Sequence, residues 1–324
     1  MLFRSDVVVG NTSYFAFARQ ALVAGLRHLQ VEAGDEVDIP ELICRDVLSS
    51  INSVGAVPRF YPVGSDLRPT SVGNTKSARF VLAVNYFGFP QDLRSFQSLW
   101  PDACLIEDNA HGYLSADEDG NPLGSRASVG ITSFRKTLRV PDGAILDTAS
   151  PLDQALLTPA CNRSPGLAFQ VRSLLAVTER VTQIPTQQMS RAAIRLCRRL
   201  LTGSSLPTSS TDSEITLPCP TAISEYSLQR LHKVEFDKEV IRRRNLYTYF
   251  ESNFRDEYGQ PVFPCLPKNC SPYGFPFYSD HIPRQFIRIA ARRHCEIISW
   301  PDLPEAVSVS NEHVYRRLRV VNFR

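Results

Sequence analysis

Two short segments place an acid and an amine at the ends of neighbouring predicted strands. The segment 106–111 (IEDNAH) ends a buried apolar run and contains Asp108, and the segment 133–136 (SFRK) follows the next apolar run and ends in Lys136. A carboxylate in such a place can keep a pyridine nitrogen protonated, and a lysine amine can hold an aldehyde as a Schiff base. The two groups together are what an enzyme that uses pyridoxal phosphate (PLP) needs, so Asp108 and Lys136 are the first candidate site residues.

The elements that must position these groups alternate between strand-like and helix-like segments. Strands are predicted at 36–40, 57–63, 80–86, 104–106, 129–134 and 143–146, and helices at 14–31, 42–54 and 93–100. The apolar run at 80–86 is typical of a strand that is buried on both faces. This alternation predicts an α/β domain with a mainly parallel sheet, in which ligands bind at the carboxyl ends of the strands.

The second half of the chain predicts a different arrangement. Residues 153–201 are interpreted as helical, 202–220 as a Ser-, Thr- and Pro-rich loop, and 227–254 as one long amphipathic helix. Short strands are predicted at 285–290 and 296–299, followed by a helix before Arg324. We therefore predict a large domain over residues 1–220 and a smaller C-terminal α/β domain over residues 221–324.

Composition and charge argue against several classes of protein. Hydrophobic residues make up 43% of the chain, as in ordinary globular proteins, and a net charge of +3 is too small to indicate a nucleic-acid partner. The eight cysteines form no C-x-x-C pair, which favours reduced thiols in the cytoplasm over a disulfide framework or a metal site. No apolar run reaches the roughly 18 residues of a membrane span, and the start of the chain lacks a signal-peptide pattern.

Six segments, in order along the chain, resemble motifs of a known family. They are 33–40 (AGDEVDIP), 54–60 (VGAVPRF), 85–90 (NYFGFP), 106–112 (IEDNAHG), 121–125 (NPLGS) and 129–144 (VGITSFRKTLRVPDGA). In this order they resemble the DegT/DnrJ/StrS family of PLP-dependent aminotransferases, which act on nucleotide-linked keto-sugars. The resemblance covers roughly residues 15–148, with weaker matches at 242–249 and 274–276.

The resemblance implies a fold, an activity and a set of partners. The fold would be PLP-dependent transferase fold type I, like that of aspartate aminotransferase. The activity would be transfer of an amino group, with glutamate as the expected donor, to a nucleotide-linked keto-sugar by a ping-pong mechanism through a Schiff base on Lys136. Such enzymes resemble homodimers with active sites at the subunit interface, and they take part in polysaccharide biosynthesis.

The resemblance also implies roles for individual residues around the cofactor. Lys136 would act as general base and acid once its amine is released, and Asp108 would pair with the pyridinium nitrogen. His111 would lie near the 3′-oxygen and the ring, and Ser133 would donate its hydroxyl to the PLP phosphate. For each of these residues an ordinary structural role is the alternative, such as a surface lysine or a polar residue that caps a strand end.

Four further residues align with less characteristic positions of the family. Arg19 and Gln20 fall at the turn that starts the first helix, where backbone N–H groups suit a phosphate. Cys44 lies where relatives place the residue that covers the PLP ring, although it is not aromatic. Asn85 replaces the usual histidine, and a structural role at the strand end is an equally good interpretation.

Three features depart from the family pattern and keep other functions open. The link from Ser133 to Lys136 is two residues shorter than in many members, the loop 139–144 lacks the common glycine-rich sequence, and the middle segment has no clear GyNyR motif. One alternative is a PLP-dependent transaminase that acts on a non-sugar carbonyl compound. Another is a non-catalytic PLP-fold protein kept for binding or regulation. Sugar dehydration is disfavoured, because relatives that dehydrate sugars usually carry histidine in place of Lys136.

Overall fold

A computed structural model describes most of the protein. The described residues are 11–70, 78–157, 159–182, 211–217, 222–300, 302–308 and 315–323, with isolated positions between 186 and 200. The predicted loop at 202–220 lies mostly outside these residues, as does the greater part of the predicted helix beyond residue 182.

The first half of the chain builds a seven-stranded sheet in the order β1-β7-β6-β5-β4-β2-β3. Its strands are β1 (Asn11–Phe15), β2 (Glu36–Pro40), β3 (Val57–Tyr61), β4 (Phe80–Val84), β5 (Cys104–Asn109), β6 (Val129–Thr132) and β7 (Ala144–Thr148). Strands β2 to β6 pair in parallel. Only β7 runs against its neighbours β6 and β1. The predicted α/β fold with a mainly parallel sheet is confirmed.

The helices of the first half pack against this sheet. They are α1 (Ala18–His28), α2 (Leu48–Ser53), α3 (Leu93–Leu99) and the short α4 (Phe134–Thr137). Helix α1 lies so close to β6 that a Cβ atom at Gly25 would stand 2.6 Å from Val129 Cγ1, so the packing requires glycine. The helix predicted over 42–54 is shorter than expected, because residues 45–47 form a 3₁₀ turn before α2 begins.

The C-terminal part forms a second, antiparallel sheet in the order β10-β11-β9-β8. The strands are β8 (Gln260–Pro261), β9 (Gly274–Tyr278), β10 (Glu296–Ser299) and β11 (Leu318–Asn322). The helices of this half are α5 (Leu167–Thr182), α6 (Glu225–Leu231), α7 (Phe236–Ser252), α8 (Arg284–Arg292) and α9 (Glu305–Ser308). The domain boundary near residue 220 stays a prediction, since residues 218–221 lie outside the described ones.

Three sequence predictions for residues 221–324 are wrong, and the helix predicted over 153–201 begins only at Leu167, after a 3₁₀ turn at Gln154–Leu156. The predicted strand at 285–290 belongs to α8, where Phe286 and Ala290 are buried four residues apart on one face of a helix. The predicted long helix over 227–254 is interrupted between α6 and α7. The residues before Arg324 form β11 instead of a helix, because they pair with both β9 and β10.

None of the described helices is long and apolar enough to span a membrane. Within the same residues, no cluster of three or more His, Cys, Asp or Glu side chains could hold a metal ion.

Candidate active site

A cavity opens at the carboxyl ends of β4, β5 and β6. Its walls come from these strand ends, from the start of α1, from the segment 42–47 and from Trp300. Seven of the eight predicted site residues line it: Arg19, Cys44, Asn85, Asp108, His111, Ser133 and Lys136. Gln20 is buried and is not part of the lining. The parallel sheet therefore brings together residues that are far apart in the sequence.

Asp108 is held in the middle of the sheet, next to Val84 of β4 and Ile131 of β6. Its Oδ1 accepts a hydrogen bond of 2.8 Å from the backbone N–H of Ala110. Burial raises the pKa of Asp108, whereas the positive charge of Lys136 and the Ala110 N–H oppose that change. A buried carboxylate of this kind is stabilised by a cationic partner in the cavity.

Ser133 and Lys136 lie one helical turn apart. Ser133 precedes the first residue of α4, and the backbone N–H of Lys136 donates to the carbonyl of Ser133 over 3.3 Å. Residues three apart on a helix share a face, and both side chains line the cavity. The short Ser-x-x-Lys spacing is thus accommodated by a helical turn. Burial lowers the pKa of Lys136, while Cys44 and Asp108 act to raise it.

The loop 139–144 is fixed without the common glycine-rich sequence. Asp142 is buried and accepts hydrogen bonds from Arg163 (2.5 Å), Ser224 Oγ (2.8 Å) and Ser227 Oγ (2.5 Å). Gly143 has a φ of +138°, and its N–H donates to the carbonyl of Ala16 over 2.7 Å. The Gly143 bond connects this loop to a residue that precedes α1, and the Asp142 bonds connect it to Arg163 and to the start of α6.

His111 reaches Lys136 from the loop that follows β5. Its Nε2 lies 3.3 Å from Lys136 Nζ. Its ring is nearly parallel to those of Phe87 and Tyr273, with centroid distances of 5.6 and 4.5 Å. Burial first, and then the charge of Lys136, lower the pKa of His111 well below its usual range. The lowered pKa favours the neutral imidazole next to the amine.

The N-terminus of α1 offers a place for an anion. Phe17, Ala18 and Arg19 line the cavity there, and the first turn has neither a side-chain cap nor an acidic residue. Arg19 forms an ion pair of 3.4 Å with Asp46. On the same cavity, Ser133 Oγ is buried and has no hydrogen-bond partner in the structure. Backbone N–H groups at a helix start, with a nearby hydroxyl and guanidinium, suit a phosphate.

Asn85 lines the cavity, but its side-chain amide is engaged in a buried network. Its Nδ2 donates to Glu107 Oε1 over 2.7 Å, and its Oδ1 accepts from Arg126 Nη2 (3.2 Å) and from the backbone N–H of Gln91 (2.9 Å). Glu107 is also paired with Arg126 at 2.6 Å. These contacts favour the structural interpretation of Asn85, although its contribution to a cofactor site stays a prediction.

Sequence reasoning missed four charged or aromatic residues of the lining: Phe17, Asp46, Arg135 and Trp300. Trp300 directly follows β10 and supplies an aromatic side chain to a cavity that has Cys44 where relatives have a ring-covering residue. One signal was available, because Trp300 is one of only two tryptophans and directly follows a predicted strand. Trp300 lies 164 positions after Lys136 in the sequence, so no local pattern indicates that both line the same cavity.

The residues of the cavity fit PLP in the positions that the sequence predicted. The unpaired Ser133 hydroxyl and the start of α1 suit the phosphate, Asp108 suits the ring nitrogen, and Lys136 suits the aldehyde. This fit follows from the chemistry of these side chains and their positions on the cavity.

Comparisons with known proteins agree with this fold. Residues 13–157 match the model of the DegT/DnrJ/EryC1/StrS aminotransferase family. A UDP-N-acetyl-3-dehydro-alpha-D-glucosamine 3-aminotransferase of Acidithiobacillus ferrooxidans is 28% identical over 126 residues, which are 37% of this chain and 34% of that protein. The match thus spans about a third of the length of this relative.

Solved structures resemble the whole chain. The aminotransferase TlmJ of Streptoalloteichus hindustanus has a TM-score of 0.57 at 19% identity, covering 96% of this chain and 80% of the other. PseC of Helicobacter pylori, an aminotransferase of pseudaminic acid biosynthesis, has a TM-score of 0.61 at 13% identity, with coverages of 96% and 81%. The E. coli GDP-4-keto-6-deoxy-D-mannose-3-dehydratase with bound hydrated PLP has a TM-score of 0.58 at 16% identity, with coverages of 96% and 83%.

Fold and site together define a protein of PLP-dependent transferase fold type I. Residues 13–157, which contain all eight predicted site residues, match the model of the DegT/DnrJ/EryC1/StrS aminotransferase family.

Proposed function

We propose that the protein is a PLP-dependent aminotransferase that passes an amino group, taken from glutamate, to a nucleotide-linked keto-sugar. The observation that carries the proposal is the meeting of Lys136, Asp108, His111 and Ser133 on one cavity at the carboxyl ends of parallel strands. The family match and the sugar aminotransferase from Acidithiobacillus ferrooxidans support the reaction class.

The cofactor supplies an electron sink, which stabilises negative charge at the carbon next to the amino nitrogen. Lys136 would hold it through Nζ, and burial lowers the pKa of this amine, which favours the unprotonated form that such binding needs. Asp108 would keep the ring nitrogen protonated, because a cation next to it would stabilise its buried carboxylate. Ser133, Arg19 and the start of α1, which line one part of the cavity, would hold the phosphate end.

Lys136 can also move protons during the reaction. Once the amine is free, its flexible side chain could act as the general base and then the general acid of a 1,3-proton shift. A lysine at this position supports amino transfer over sugar dehydration, which relatives with histidine there carry out. The two half-reactions follow one another at the same cavity, so we expect ping-pong kinetics with glutamate and the keto-sugar.

We further propose that the protein acts as a homodimer. Helix α5 carries an apolar stripe of Leu167, Val171, Leu174 and Val177, whose exposed fractions are 77%, 48%, 67% and 58%. Exposed large apolar side chains at helical spacing are typical of a surface that packs against another protein. A second copy of the chain is the partner that the resemblance to homodimeric enzymes suggests.

We place the reaction in the cytoplasm, in the formation of amino-sugar precursors for a polysaccharide. The seven cysteines that the structure describes form no disulfide, which suits a reducing compartment.

The proposal is tested by adding PLP to the purified protein. We expect an absorbance band at about 410–430 nm in the wild-type protein and none in Lys136→Ala. Lys136→Arg is the matched control, because it keeps a positive charge but cannot bind the aldehyde. Glutamate should bleach the wild-type band. A protein without any band would contradict the enzyme function, and a band that persists in Lys136→Ala would move the attachment to another residue.

A further inference from the structure

Three aromatic rings surround His111 from different parts of the chain. Phe87 follows β4, Tyr273 precedes β9 and Trp300 follows β10. Phe87 and Tyr273 lie almost parallel to the imidazole, at interplanar angles of 7° and 21°. Trp300 meets it at 65°, with a centroid distance of 5.2 Å. Because the rings approach from different directions, each limits a different displacement of the imidazole.

Trp300 joins this cage to the second sheet. Its backbone N–H donates to the carbonyl of Leu318 in β11 over 3.3 Å. Its indole also packs against Phe87 at 5.0 Å and Tyr86 at 6.0 Å. The position of the indole is therefore set by the C-terminal sheet, whereas the group that it restrains, His111, belongs to the first sheet.

The restrained imidazole faces the amine of the proposed reaction. His111 Nε2 lies 3.3 Å from Lys136 Nζ. A neutral imidazole has one nitrogen that can accept a hydrogen bond. We propose that Trp300 is a positioning residue, which holds His111 so that its Nε2 accepts a hydrogen bond from Lys136 and favours the protonated amine. Trp300 does so without touching the amine itself.

Other charged and titratable groups act on the same amine. Cys44, Asp108 and Asp46 favour its protonated form, and Arg135 opposes it. Burial acts against all charge at this position. The effect of His111 on the protonation of Lys136 must therefore be measured with these four groups left in place. The substitutions must also keep water out of the cage.

The experiment measures the reactivity of Lys136 in the apo-protein. Formaldehyde with cyanoborohydride methylates unprotonated amines, and peptide mass spectrometry gives the rate at Lys136 as a function of pH. The exposed Lys233 and Lys238 provide internal standards. The variants are His111→Phe, Trp300→Leu, the double variant, and Trp300→Phe as the control that keeps an aromatic ring. Each replacement is apolar and bulky, so that hydration of the cage changes little.

We expect His111→Phe to shift the pH midpoint of Lys136 downwards and to raise its rate at lower pH by about 2- to 10-fold, since the ammonium loses its acceptor. Trp300→Leu should shift the midpoint in the same direction, and Trp300→Phe should leave it near the wild-type value. The double variant should match His111→Phe, because Trp300 acts only through His111.

Two results would overturn the inference. One is a wild-type pH profile in Trp300→Leu, and the other is a double variant whose shift is the sum of the two single shifts. Circular dichroism of each variant shows that the fold is kept. The inference takes Lys136 as the reactive amine of the proposed function, but the assay needs neither cofactor nor substrate. It can therefore fail while amino transfer is observed, or succeed where amino transfer is absent.

Discussion

Arg243 connects the C-terminal helix α7 to the turn that carries Lys136, and its replacement by methionine is the most informative test of the packing. The guanidinium is 1% exposed. It donates to Glu239 (2.7 Å) and to the backbone carbonyls of Thr137 (2.9 Å), Pro272 (3.1 Å) and Tyr273 (3.3 Å). Thr137 directly follows Lys136, and Tyr273 stacks on His111.

The expected cost follows from these contacts. Breaking a buried ion pair costs about 3–5 kcal/mol, and each buried carbonyl left without a partner costs about 1–3 kcal/mol. Glu239 keeps its second partner, Arg242, at 2.7 Å, so its carboxylate is not left unpaired. We therefore expect Arg243→Met to lower the free energy of unfolding by about 3–5 kcal/mol, which is the range for breaking one buried ion pair.

Urea unfolding of the apo-protein measures this difference. Arg242→Met is the matched control, because Arg242 lies next to Arg243, shares Glu239 and is 45% exposed. An exposed pair of this kind contributes about 1 kcal/mol or less. If Arg243→Met destabilised the protein no more than Arg242→Met, the buried arginine would not hold the two parts of the chain together, and this reasoning would be refuted.

Three further predictions concern the cavity and the exposed helix. Asp108→Asn should make the apo-protein more stable at neutral pH. Burial raises the pKa of Asp108 in the folded state, so the wild-type protein loses stability as the pH rises from the pKa of this group in the unfolded chain to its pKa in the folded protein. Urea midpoints at pH 4 and pH 7 test this, and an equal effect of the substitution at both pH values would contradict it. Ser133→Ala should weaken PLP binding by about 10-fold through loss of one hydrogen bond to a charged group, measured by absorbance titration, with Ser125→Ala as an exposed control. Leu174→Glu should dissociate the proposed homodimer in light-scattering measurements, whereas Ile287→Glu on α8 should not; dimers in both variants would exclude α5 from the interface.

Strands β2 and β4 were predicted well, and in β4 burial on both faces leaves a continuous apolar sequence. Strand β2 (Glu36–Pro40) has the predicted bounds, and β4 ends two residues before the predicted end. Strand β5 was predicted to stop at Ile106 but continues to Asn109. The extension contains Glu107, a charged residue that is fully buried only because Arg126 and Asn85 bond to it. Such compensation between distant residues leaves no local signal.

The candidate site was predictable to the extent that it is local. Asp108, His111, Ser133 and Lys136 lie within 29 residues of the sequence, near the ends of two adjacent parallel strands, so motif order could place them on one cavity. Trp300 could not be predicted in this way, because it depends on the packing of the second sheet. The prediction for this part of the chain was partly wrong, because residues 285–290 were interpreted as a strand and belong to helix α8.

The transfer of nitrogen is the measurement that tests the central claim most directly. The PLP-loaded protein is incubated with ¹⁵N-glutamate and a panel of nucleotide-linked keto-sugars, and the products are read by mass spectrometry. We predict a sugar nucleotide that carries the ¹⁵N label, formed by the wild-type protein and absent with Lys136→Arg. A wild-type protein that binds PLP at Lys136 but transfers no label to any keto-sugar of the panel would contradict the proposed function.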